Sequence, residues 1–233
     1  MTYGLGIRCS ILLSYGTAMF LLAWPAWSGE GHPCLPEPVA VRGEVVASGV
    51  AWPPGARQPV VVDAAVSPTM RKPDRWGRRH GFIAGEDGEP LQIAWLRAGR
   101  VFAMPGAAPA PCRDALLRAE AEARGARRGL WRRTRIERAD DPTLAKRADR
   151  FAVVEGAVVS VGDRRSRVYL NFGTFWREDF TVQILKRDLK RHPELLARIV
   201  RSEGRRVRVR GRLTARDGPL MKVRDAGQIL FLP

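Results

Sequence analysis

Residues 74–78 read Asp-Arg-Trp-Gly-Arg and place a carboxylate, two guanidiniums and an indole within one short segment. A guanidinium fork matches phosphate oxygens better than an ammonium group does. Trp76 could stack on a nucleobase or pack at the rim of a barrel. Asp74 could act in catalysis or accept hydrogen bonds from the backbone of its own turn. His80, two residues further on, could carry a proton or lie on the surface.

The whole chain is strongly basic, with a formal net charge of +16 over 233 residues, and only five of its cations are lysines. This balance predicts nucleic acid or another polyanion as the partner. An arginine-rich codon usage is the alternative explanation, and it would place no patch on the surface. The hydrophobic fraction of 45% excludes wholesale disorder.

The elements that must position residues 74–78 follow from the pattern on either side. Residues 39–52 and 58–66 alternate apolar side chains and predict strands before the segment. Residues 81–84 predict one arm of a hairpin, which the turn at residues 85–88 would close. A short helix is predicted over residues 91–98, a strand over 101–104, and a long helix over 112–129 that ends at a Gly129 C-cap.

The N-terminus predicts a secretory signal peptide over residues 1–28, because one arginine precedes an apolar run and small residues precede Gly29. The mature protein would then be exported to the periplasm or the medium without a membrane anchor; an uncleaved N-terminal anchor is the alternative. Cys34 and Cys112 remain as an even pair in an oxidising compartment, which predicts a disulfide. The alternative, a catalytic thiol, has no Cys-x-x-Cys motif to support it.

After a charged linker predicted over residues 134–150, the period of the apolar residues changes to two. Residues 151–233 give the order strand, strand, strand, helix, strand, strand, which predicts a five-stranded OB-type barrel. A five-stranded sandwich is the alternative. The fold class expected for the whole chain is therefore mainly β with helices, α+β in type, with one barrel in residues 29–133 and a second in residues 151–233.

Residues 74–131 resemble the staphylococcal-nuclease-like (thermonuclease) family. The likeness rests on an ordered set: the Asp-Arg-Trp-Gly-Arg element, the turn at residues 85–88, residues 91–99, the Glu/Ala/Arg helix around residues 120–124, and Gly-Leu-Trp at residues 129–131. Residues 151–232 are similar, more weakly, to the OB-like domain that follows some secreted bacterial members. The resemblance implies a nuclease-like OB barrel, shortened at its N-terminal side, followed by a second OB-like barrel.

The family hydrolyses DNA and RNA with Ca²⁺, so the resemblance implies that Arg78 neutralises charge on the phosphate in the transition state. The acidic half of the family pattern, an Asp-Gly-Asp-Thr turn and an Asp-x-Pro-Glu segment, is missing upstream. Asp63 and Asp74 are the remaining weak candidates for metal ligands. We therefore expect binding of nucleic acid with weak or lost phosphodiesterase activity. The alternatives are an active Ca²⁺-dependent secreted nuclease and an envelope protein-interaction scaffold.

Two further groups could bind a polyanion. Arg165, Arg167, Tyr169 and Trp176 have the mixture of arginine and aromatic residues typical of a single-strand platform, although alternation must turn some aromatic residues of this region inward. Arg208 and Arg210 alternate with apolar residues, so they form either a polyanion-binding row or an ordinary solvated face.

Overall fold

A computed structural model describes residues 8–12, 22–23, 31–56, 58, 60–106, 108–175, 177–190, 192–215 and 218–233. Within them the protein is mainly β with three helices, and the chain divides into two compact units, Met1–Arg132 and Arg133–Pro233. The strands are β1 (Arg8–Leu12), β2 (Leu22–Ala23), β3 (Val39–Ala47), β4 (Val50–Ala51), β5 (Val60–Pro68), β6 (Arg79–Ile83), β7 (Phe102–Ala103), β8 (Glu137–Arg138), β9 (Phe151–Ala157), β10 (Ser160–Asp163), β11 (Arg167–Asn171), β12 (Thr181–Leu185), β13 (Arg206–Ala215), β14 (Pro219–Val223) and β15 (Ile229–Phe231). The helices are α1 (Leu91–Arg97), α2 (Ala110–Gly125) and α3 (Pro193–Val200).

The first unit contains a five-stranded sheet in the order β2-β1-β5-β3-β6, in which β5 also pairs with β6. Strands β3, β5 and β6 therefore pair with one another and curl the sheet. β3 runs antiparallel to β5 and parallel to β6. Strands β4 and β7 form a separate two-stranded ladder. Most of the predicted signal peptide lies outside the described residues, which include only β1 and β2 of that segment.

A bulge interrupts the pairing of β3 with β5, and a side chain of β5 bridges it. The register with β5 shifts between Val41 and Glu44, and Gly43 adopts a φ of 92° that favours glycine. The Gly43 N–H donates to Asp63 Oδ1 over 2.9 Å, so the two strands are joined across the bulge. The segment after the bulge pairs with β6 at Arg79, directly after residues 74–78.

Helix α1 fixes β6 through a buried amide. The Gln92 side chain accepts from the Ile83 N–H at 3.1 Å and donates to the Gly81 carbonyl at 2.9 Å. The expected hairpin closes through a single bridge between Ala84 and Pro90, and α1 follows at once. Residues 85–88 thus connect a strand to a helix.

Helix α2 buries Cys112, Leu116, Ala119 and Ala123, which lie on one face at helical spacing. The predicted disulfide is confirmed: Cys34 and Cys112 are bonded across 78 positions and both are buried. In the chain-entropy account a loop of this length contributes about 4 kcal/mol. The predicted end of the helix was wrong by four residues, since α2 ends at Gly125.

The second unit forms one long sheet in the order β10-β11-β12-β14-β13-β9-β8, with β15 on β13. Strands β9 and β10 are separated by two residues, so the sheet returns to the same stretch of chain and curls into a barrel-like form. β12 and β14 are parallel. The enclosed core includes Phe180, Leu170, Ile184 and, from α3, Ile199, all fully buried.

Residues 134–150, predicted as a linker, belong to this second unit. β8 pairs with β9, and the Glu137 carboxylate accepts hydrogen bonds from Arg135 and Arg147 while only 4% exposed. Leu144 is fully buried in the same core. The charges are paired locally, and this allows a polar sequence to pack on the barrel.

Among the helices in the described part of the chain, none has the length and apolar composition needed to cross a membrane.

Candidate functional site

Residues 74–78 form a closed turn held by its first residue. The Asp74 N–H donates to the Arg78 carbonyl and the Gly77 N–H donates to the Asp74 carbonyl, each over 2.9 Å. Asp74 Oδ1 accepts from the backbone N–H groups of Trp76 and Arg78 at 2.9 and 3.0 Å. Gly77 has a φ of 79°, which closes the turn without the strain that a side chain would add.

The second oxygen of Asp74 holds two side chains. Oδ2 accepts hydrogen bonds from Arg78 Nε at 2.9 Å and from His80 Nε2 at 3.0 Å, and it forms an ion pair with Arg78 Nη2, also at 2.9 Å. Desolvation of the carboxyl opposes ionisation, but the hydrogen bonds from His80, Arg78 and Trp76 outweigh it and hold the Asp74 pKa well below its usual range. Asp74 is therefore ionised at neutral pH and fixes the orientation of Arg78.

Trp76 lies at the surface of this turn, with 62% of its area exposed. The guanidinium carbon of Arg75 lies 4.0 Å from the ring centroid, and that of Arg78 lies 4.8 Å from it. Cation–π contacts of this kind keep two positive charges beside an accessible aromatic surface. Trp76 is too exposed for a side chain that packs at a barrel rim.

Arg78 also borders a small cleft. Its Nη1 lies 3.9 Å from Glu44 Oε1, and both residues line a cavity of about 60 Å³. Trp52 and Trp95, whose ring centroids are 5.3 Å apart, form the aromatic wall of this cavity. The Glu44 side chain is 47% exposed, so a carboxylate and a guanidinium meet at an accessible opening.

The acidic residues that could ligate Ca²⁺ do not form a ligand set around Arg78. Both oxygens of Asp74 are occupied by donors, and Asp63 binds the β3 bulge. Asp87 accepts from the Glu89 N–H within its own turn. The described residues contain no group of three His, Cys, Asp or Glu side chains placed to hold a metal ion. This geometry does not fit the cation that the resemblance implies, and we derive no step through Ca²⁺.

In the second unit, the outer face of the sheet collects polar and aromatic side chains around Tyr169. The strand register aligns Tyr169 with Gln183 and Lys222 on three neighbouring strands. The Tyr169 hydroxyl oxygen accepts hydrogen bonds from Arg167 Nη1 at 3.5 Å and from Gln183 Nε2 at 3.2 Å. The hydrogen bond from Arg167 is the main cause of the lowered pKa of Tyr169. Alternation in sequence indicated Tyr169, but only the register shows Gln183 and Lys222 beside it.

The other members of the predicted platform are distributed differently. Arg165 is exposed in the loop before β11, and Trp176 lies outside the described residues. Phe172 is buried against Phe180, whereas Phe175 is 69% exposed. In the segment between β11 and β12, one of the neighbouring aromatic residues is thus in the core and another is at the surface.

The arginine row on β13 is largely neutralised. Arg208 donates to Glu155 from Nε at 3.0 Å and from Nη2 at 2.8 Å, and Arg206 binds the other oxygen of Glu155. Arg210 is only 3% exposed. Glu155 lies directly opposite Arg208 on β9, a partner that the sequence spacing could not show. Arg208 and Arg210 therefore have little capacity left for a phosphate.

No protein-family model matches the chain, and a search of curated proteins finds no significant similarity.

Proposed function

We propose that this chain is an exported thermonuclease-like protein that binds nucleic acid or another polyanion, with weak or lost phosphodiesterase activity. The observation that carries the proposal is the turn at residues 74–78, in which Asp74 holds Arg78 beside an exposed indole that Arg75 also contacts. Guanidiniums bind phosphates, and an accessible ring stacks on a base without selecting its sequence.

The arrangement of the strands supports the same proposal. If β9 and β10 are counted as one bent strand and the short β8 and β15 are set aside, the second unit has three strands, α3 and two strands, with β12 parallel to β14, as expected for an OB-type barrel. The surface around Tyr169, with Arg167 and Arg165, provides a second polyanion-binding face. Together with the predicted signal peptide, these features favour a secreted or periplasmic binding protein.

Weak or lost hydrolysis is supported by the state of the acidic groups. Asp74 has no oxygen free for a cation or a water, because five donors surround its carboxylate. A water-activating group contributes a factor of about 10²–10⁴ to the rate of hydrolysis. Without such a group the turn can hold a phosphate but contributes little to its cleavage.

The binding proposal is tested with fluorescent single-stranded DNA titrated at several salt concentrations. We expect micromolar binding that weakens as salt rises, and Arg75→Ala with Arg78→Ala should lower the slope of log K against log salt by about 0.7 per arginine. Trp76→Ala should weaken binding by about 1–3 kcal/mol through lost stacking. Arg118→Ala, an exposed arginine on α2, is the matched control and should leave the slope unchanged. Salt-independent or absent binding would refute the proposal.

An active nuclease is the second candidate, and the Glu44 carboxylate beside Arg78 is the observation that favours it. A carboxylate at that opening could position a water next to a bound phosphate. The purified protein is incubated with single-stranded DNA and Ca²⁺, alongside Glu44→Gln and Arg78→Ala. Cleavage that both substitutions abolish would establish an enzyme, and cleavage equal in all three proteins would indicate a contaminant.

A further inference from the structure

A groove in the second unit, on the side of α3 and β15, is lined by cations that the proposed nucleic-acid sites do not use. It has a volume of about 600 Å³, and its lining includes Arg198, Arg201, Arg205 and Phe231. The three arginines are exposed, and within the described part of the chain none of them forms an ion pair. Arg198 lies over the Phe231 ring, 4.4 Å from its centroid.

The groove also lies along the free edge of a strand. β15 pairs with β13 through the register Val207 to Phe231, and among the described strands it has no other partner. The Leu232 N–H donates to the Arg206 carbonyl at 3.0 Å. Because donors alternate in an antiparallel ladder, the N–H and C=O of Phe231 point away from β13. An edge of this kind pairs readily with an added strand.

We propose that this groove binds an extended acidic peptide of a partner protein by strand addition to β15. At the exposed edge, the Phe231 N–H can donate a hydrogen bond and the Phe231 C=O can accept one. The backbone of one extended peptide can pair with both groups. The arginines alongside select carboxylate side chains. A second copy of this chain is a poor occupant, since its net charge is +16.

A nucleic-acid strand matches the groove less well. The outward carbonyl of Phe231 would repel a phosphate, whereas the Glu194 carboxylate in the lining would repel phosphates and acidic side chains alike and does not distinguish the two. A peptide can donate its N–H groups to that carbonyl and place its acidic side chains on the arginines. The Glu194 carboxylate lies beside the imidazole of His192, with 3.8 Å between Glu194 Oε1 and His192 Nδ1.

The test uses the full mature protein and a fluorescent, end-capped peptide of alternating Glu and Val, with a Lys/Val peptide as the charge control. We expect the acidic peptide to bind and the basic one not to bind. Arg201→Glu with Arg205→Glu should weaken binding by about tenfold or more. The control is Arg118→Glu combined with Arg113→Glu on α2, which changes the net charge equally in the other unit and should alter binding less than twofold.

Strand addition is tested separately from charge. Phe231→Ala removes the ring but keeps the outward N–H, whereas Phe231→Pro removes both, and proline is tolerated where a strand N–H faces outward. Phe231→Pro should bind the acidic peptide more weakly than Phe231→Ala, with circular dichroism showing both folded. Equal binding by the two variants would overturn strand addition.

The class of occupant is tested with single-stranded DNA. If DNA bound more tightly than the acidic peptide, with the same dependence on Arg201 and Arg205, the peptide would be overturned as the occupant. Neither result depends on the loop at residues 74–78.

Discussion

At the scale of single residues, Asp74 organises the candidate site. One carboxylate satisfies two backbone N–H groups, a guanidinium and an imidazole, so the conformation of the turn and the orientation of Arg78 depend on one ionised group. An aspartate in this sequence context could equally have been a metal ligand or a general base. The geometry assigns it to positioning Arg78. In the proposed function, Arg78 contacts the ligand together with Trp76 and Arg75.

The pH dependence of stability follows from the lowered pKa of Asp74. A carboxylate with a lowered folded pKa stabilises the fold above its unfolded pKa of about 3.9, and the contribution is lost as the pH falls through the folded value. Asp74→Asn should therefore reduce the free energy of unfolding by a constant amount from neutral pH down to about pH 4, and by less at lower pH.

The measurement is urea unfolding of both proteins over this pH range. Asp114→Asn on α2, an exposed aspartate, is the control and should change the free energy of unfolding little. A difference between wild type and Asp74→Asn that did not shrink as the pH fell below about 4 would contradict this account of the Asp74 carboxylate.

At the scale of elements, close backbone contacts decide where the first unit's helices end. Gly129 has a φ of 50°, and a Cβ added there would lie 2.3 Å from the Gly99 carbonyl oxygen. The segment after α2 must approach the end of α1 this closely, which brings Trp131 into the core beside Phe102. Helix propensity along residues 112–129 does not depend on that tertiary contact. The length of the helix predicted from the sequence is therefore too great.

The two glycines near the end of α2 should respond oppositely to the same substitution. Gly129→Ala should destabilise the protein by about 2–4 kcal/mol, because both the positive φ and the close carbonyl oppose a side chain. Gly125→Ala, in the last position of α2 with no neighbour within 4 Å of the added carbon, should stabilise it by about 0.5–1 kcal/mol. Chemical denaturation measures both values, and similar effects at the two positions would contradict the contact.

At the scale of the whole molecule, the boundary between the two units falls before the charged segment. Residues 133–150 contribute β8, the Glu137 ion pairs and the buried Leu144 to the second unit. Charge and proline made this segment resemble a linker. The segment is buried because Glu137 pairs with arginines up to ten residues away. A hydropathy pattern does not indicate which charged residues will pair.

Expression of two fragments tests this boundary. Residues 133–233 should unfold cooperatively as an independent unit, since they enclose a core of their own. Residues 151–233 should be less stable by about 3 kcal/mol or more, through exposure of the surface that Leu144 covers. Equal stability of the two fragments would show that residues 133–150 act as a linker after all.

The sequence by itself determined most of the strands and helices, apart from β8 and the end of α2, together with the Cys34–Cys112 disulfide and the segment that carries the candidate site. Those features depend on local periodicity, on turn residues and on a count of cysteines. The tertiary structure alone decided which charges remain available. Arg208 is neutralised by Glu155 on another strand, Asp74 is enclosed by donors, and Arg198, Arg201 and Arg205 remain exposed along β15. Strand register and side-chain contacts bring distant residues together, and the free capacity of a charged group depends on those neighbours.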